Sequence, residues 1–77
     1  MSKPKNKIEL YRALSDAGHG HLANVLSTFG RPAARLRKAW EIIEAGGNVR
    51  FAQFSRDIII IHRQGDPEGE VVNCWDF

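Results

Sequence analysis

The segment Gly30-Arg-Pro-Ala-Ala-Arg-Leu-Arg-Lys-Ala-Trp-Glu-Ile-Ile-Glu-Ala-Gly-Gly47 constrains the fold of this chain more than any other. Pro32 fixes φ where a helix would begin, and Gly46 or Gly47 supplies the left-handed residue that closes one. Between them Leu36, Ala39, Trp40 and Ile43 recur at i, i+3, i+4 and i+7, the apolar stripe of a helix packed on a core. At about 100° per residue, Arg31, Arg35 and Lys38 gather on a face turned roughly 130° from that stripe. The expected helix has one buried face and one basic, exposed face.

The segments before it read as two shorter helices. Asn6 is a good N-cap with Glu9 three residues on, as in a capping box, and Ile8, Tyr11, Leu14 and Ala17 mark a helix that Gly18 ends. After His19-Gly20-His21, Leu22, Val25, Leu26 and Phe29 mark a second helix with Gly30 as its stop. Beyond Gly47 the period falls from about 3.6 to 2. Ile58 to Ile61 is β-branched throughout, and Val71 to Phe77 alternates, so both are expected strands. Val49 to Phe54 is either a third strand or a loop. Asp66-Pro67-Glu68-Gly69 fits a type I turn, and a hairpin centred there sets Ile60 near Trp75 and Ile58 near Phe77, giving an apolar face. Trp40, Trp75 and Cys74 are expected core residues.

The expectation is an α+β chain, winged-helix-like in element order, with three N-terminal helices followed by an antiparallel C-terminal β-hairpin of two or three strands. It is expected to be a single domain over 1–77, with a mobile basic lead-in over 1–5, helices over 6–47 and the hairpin region over 48–77. At 77 residues such a domain is marginally stable alone, and a homodimer would relieve that. Its 43% apolar and 26% charged residues exclude disordered and fibrous classes. No apolar run approaches a membrane span and no signal peptide is visible. With a single cysteine, these features give the expectation of a cytoplasmic protein without membrane contact.

The net charge of +2 conceals a division. Up to residue 38, Lys3, Lys5, Lys7, Arg12, Arg31, Arg35, Arg37 and Lys38 stand against Glu9 and Asp16. From residue 39 on, Arg50, Arg56 and Arg63 stand against Glu41, Glu44, Asp57, Asp66, Glu68, Glu70 and Asp76. The first part is strongly cationic and the second anionic, which points to a polyanion as partner of the first.

Other chemistry finds less support. His19, His21, His62 and Cys74 lack the ligand spacing of a structural zinc site, so no metal and no cofactor is expected. His62 with Asp57, Arg63 or Glu70 offers acid-base groups without a recognised spacing, and the chain reads as a non-enzyme.

The stretch Leu22-Ala23-Asn24-Val25-Leu26-Ser27-Thr28-Phe29-Gly30-Arg31-Pro32-Ala33-Ala34-Arg35-Leu36 resembles the two-helix unit of helix-turn-helix proteins. With a helix before it and a hairpin after it, the element order is similar to that of winged helix-turn-helix domains. The resemblance implies a small transcriptional regulator that binds double-stranded DNA. Arg31, Arg35 and Lys38 would then enter a groove, and Lys3, Lys5, Lys7 and Arg12 would contact phosphate. The hairpin tip is acidic, unlike a phosphate-gripping wing, and would instead face a partner protein or a second subunit. The alternative reading follows from that: a non-enzymatic protein-binding inhibitor or adaptor of the kind phage and other mobile elements encode.

Overall fold

The computed structural model describes residues 3–77, so residues 1 and 2 of the expected lead-in lie outside it. Three helices, α1 (Lys7–Asp16), α2 (Gly20–Leu26) and α3 (Pro32–Glu44), precede three strands, β1 (Asn48–Phe51), β2 (Ile58–His62) and β3 (Glu70–Asn73), and a 3-10 turn (Cys74–Asp76). Over the described residues the chain is α+β, three helices and then an antiparallel sheet. Its described residues form two compact units, one ending at Trp40 and one running from Glu41 to Phe77.

In the first unit α1 starts with a reciprocal Asn6–Glu9 pair close to the expected capping box, though the return bond comes from the asparagine side chain. Glu9 N donates to Asn6 Oδ1 at 2.9 Å, and Asn6 Nδ2 donates back to Glu9 Oε2 at 3.3 Å. It ends as a Schellman motif: His19 N reaches Leu14 O at 2.8 Å and Gly18 N reaches Ser15 O at 3.1 Å, with Gly18 at φ 89°. The buried face differs from the expected stripe. Leu10 and Leu14 are fully buried, whereas Ile8 is 69% exposed. Leu10 lies two residues from Ile8, nearly across the helix, so burying the leucine pair turns Ile8 to solvent. Leu22, Ala23 and Leu26 are the buried residues of α2, and the Tyr11 hydroxyl donates to Asn24 Oδ1 between the two helices.

α2 stops four residues before Gly30, the expected stop. Ser27 and Thr28 hydroxyls donate to the carbonyls of Asn24 and Val25 at 2.9 and 2.7 Å, and Thr28 N also donates to Val25 O. These bonds take up the last-turn carbonyls and tighten the chain to 3-10 spacing. Phe29 is therefore off the helix. In α3, Leu36 and Ala39 are fully buried as expected, but Trp40 and Ile43 are only half-buried. The α3 terminus repeats the Schellman pattern, with Gly47 N on Ile42 O at 2.9 Å and Gly46 at φ 96°.

The second unit contains the sheet, in the order β1-β2-β3, with Val49 to Phe51 settled as strand. Three expectations change here. The register pairs Ile60 with Val71 and Ile58 with Asn73, not with Trp75 and Phe77. The chain reverses early, where Asp66 N donates to Arg63 O at 2.9 Å, while the Asp66 carboxylate accepts from Gly69 N at 3.3 Å inside the loop. The buried isoleucines are Ile59 and Ile61, on the face opposite to Ile58 and Ile60. Finally, the last strand ends at Asn73. Cys74 N donates to Asp57 O at 2.8 Å, Phe77 N to Asn73 O at 3.1 Å, and this turn leaves Trp75 51% exposed while Cys74 is buried.

Candidate nucleic-acid interface

The first unit holds every cation proposed from the sequence for nucleic-acid contact. Lys3 and Lys5 lie on the segment leading into α1, Lys7 is its first residue, and Arg12 sits midway along it; all four are exposed. On α3, Arg37 and Lys38 are exposed, and so are Ala33 and Ala34 one turn earlier. The alanines leave the helix surface low between the cations, so a flat or concave partner could approach the backbone closely. Arg37 joins the two groups: its Nη2 donates to Lys5 O at 3.4 Å, which sets the Lys3-to-Lys7 segment beside the exposed face of α3. Lys5 N is held in turn by Glu9 Oε1 at 3.1 Å.

Arg35 takes a different position from its neighbours. Its Nε donates to Gly30 O at 2.7 Å, its guanidinium lies 5.5 Å from the Phe29 ring centroid, and it is half-buried. The side chain braces the α2–α3 turn from the margin of the basic face. Arg31 is exposed and adopts φ 57°, the left-handed region that only a few per cent of non-glycine residues occupy. Arg31 O then accepts from Arg35 N at 3.1 Å as the first turn of α3. Five residues, 27–31, separate α2 from α3.

Arg37, counted among the cations of the N-terminal half, is not one of the groove or phosphate contacts expected from the sequence. It falls on the same stretch of helix but about 100° round from Lys38, outside the arc that the spacing of Arg31, Arg35 and Lys38 defines. Its hydrogen bond to a carbonyl 32 positions away has no local sequence signal.

The remaining chemistry-bearing residues are dispersed. His62 Nε2 accepts from Arg50 Nε at 3.4 Å, and Arg63 is ion-paired with Glu70 at 2.8 Å. Asp57 precedes β2 at the end opposite to His62. His19 is the N-cap residue of α2 without a side-chain capping bond, and His21 is exposed. Among the described residues no three His, Cys, Asp or Glu side chains converge on a common point. In the second unit a shallow groove of about 390 Å³ runs between Gly46, Gly47 and Asn48 and the loop from His62 to Pro67. Among the described residues no helix is long and apolar enough to cross a membrane. Compared with protein families, characterised proteins and solved structures, the chain finds no match.

Proposed function

We propose that the protein is a small DNA-binding regulator whose first unit binds duplex DNA through the exposed face of α3 and the basic segment before α1. The observation that carries this reading is the Arg37 hydrogen bond to Lys5 O, which joins two separate cationic stretches into one surface. Eight of the eleven lysines and arginines lie in this unit, with only Glu9 and Asp16 against them. Phosphate binding is driven by release of counterions condensed on the duplex, and it rewards such a concentration of charge. Arg31, Arg37 and Lys38 are the candidates for groove contacts, with Arg35 holding the turn beneath them; Lys3, Lys5, Lys7 and Arg12 supply phosphate contacts. A cytoplasmic setting belongs to the same reading.

Fluorescence anisotropy on a labelled random duplex, at salt from about 50 to 200 mM, tests it. Log affinity should fall linearly with log salt, and Lys5→Ala should lower the slope by about one unit by removing one phosphate contact. An affinity absent even at about 50 mM salt refutes the proposal.

A second reading rests on different residues. Phe54 and Trp75 are 74% and 51% exposed on the anionic second unit, and exposed aromatic side chains are favoured anchors for a protein partner.

A further inference from the structure

We infer that Glu9 is a positioning residue for phosphate binding: an acid among the cations of the first unit, it strengthens their hold on a duplex by fixing the segment that carries them. This role rests on the duplex reading above. Glu9 lies in sequence amid Lys3, Lys5, Lys7 and Arg12, and only Asp16 shares its sign in this unit. By charge alone a carboxylate there repels phosphate, and removing it should help binding.

Its hydrogen bonds give it the opposite effect. Glu9 Oε1 accepts from Lys5 N at 3.1 Å, and Oε2 accepts from Asn6 Nδ2 at 3.3 Å. Both carboxylate oxygens are thus engaged by the chain that leads into α1. From α3, Arg37 Nη2 donates to Lys5 O at 3.4 Å. The backbone of Lys5 is therefore held on its N–H by one helix and on its C=O by another, while the residue itself stays exposed. Its neighbours restrict it further: Pro4 has a ring-locked φ and is half-buried, and Asn6 is extended at φ −142° and ψ 176°. A lysine whose backbone is ordered before binding loses less conformational entropy on meeting phosphate than one on a loose tail. The holding needs an acceptor oxygen at this reach and not a charge. Glutamine, equally suited to this position of a first helical turn, keeps an Oε1 for Lys5 N and removes the charge; alanine removes both.

The test compares the full-length wild type, Glu9→Gln and Glu9→Ala on a labelled random duplex at about 50 mM salt. The two variants have the same net charge, so a difference between them reads the hydrogen bonds, with far-ultraviolet dichroism checking that α1 persists in both. Glu9→Gln should bind at least as tightly as the wild type, and Glu9→Ala about fivefold more weakly than Glu9→Gln. Equal affinities of the two variants leave Glu9 a repelling surface charge and overturn the inference. A second measurement needs neither variant nor nucleic acid. NMR relaxation at the Lys5 amide of the wild type should match that of the α1 amides, and motion as free as that of an unanchored chain end overturns the inference too. A wild type without duplex affinity instead refutes the duplex reading, and the positioning role falls with it even where Lys5 is rigid.

Discussion

Two residues show how single positions hold this fold. Arg31 occupies the left-handed region immediately before Pro32, where an L side chain costs roughly 1–2 kcal/mol. Arg31→Gly removes that strain and adds about 0.5–1 kcal/mol of unfolded-state entropy, so urea denaturation should show stability unchanged or raised by up to about 1 kcal/mol. Arg31→Val should lower it, because a branched side chain tolerates positive φ poorly. Gly69 is the reverse case. A Cβ there would lie 2.8 Å from both His62 Cε1 and Ile60 Cγ2, at φ 83°, so Gly69→Ala should cost about 1–3 kcal/mol in the same measurement. A helix stop at Gly46 or Gly47 was legible from sequence order, because glycine after a periodic segment has one common use, and Gly46 is the one at positive φ. Arg31 was not, since its conformation comes from a turn closed by the Ser27 and Thr28 hydroxyls and braced by Arg35. The candidate site divides the same way. The cations could be counted from sequence, but which of them a backbone carbonyl would claim could not.

At the scale of elements, periodicity identified each helix and missed the phase of α1. Leu14 belongs both to the expected stripe, which runs back by threes through Tyr11 to Ile8, and to the observed pair with Leu10 four residues before it, and only packing against α2 chose between them. Leu14→Ala should therefore cost about 2–5 kcal/mol by leaving a cavity, while Ile8→Ala should stay within about 0.5 kcal/mol. Thermal melts of the two variants check this directly; equal losses would contradict the buried face. The strands repeat the lesson. Four consecutive isoleucines satisfy either face of a sheet, so the sequence had no alternation to declare that Ile59 and Ile61 are the buried pair. The hairpin register was hidden for a related reason, because Arg63–Asp66 and Asp66–Gly69 both suit a turn and the earlier one closed.

For the molecule as a whole, the charge division and the structural division fall at nearly the same place, with all eight N-terminal cations in the unit that ends at Trp40. The most extensive contacts between elements within each unit join neighbours in sequence: α1 with α2, β1 with β2, β2 with β3. Such local pairing keeps loop-closure costs low and suits a short chain that must form its core quickly. The chain's single thiol gives a way to time the opening of the second unit. Cys74 is fully buried, and its backbone N–H is anchored on Asp57 O, so a disulfide reagent can reach the sulfur only through a local opening around the 3-10 turn. Labelling followed by mass spectrometry should then run far slower than for a free thiol peptide, and it should accelerate in Gly69→Ala if loosening the β2–β3 loop frees that turn. Every copy carries one such clock, built in at the point where its last strand ends.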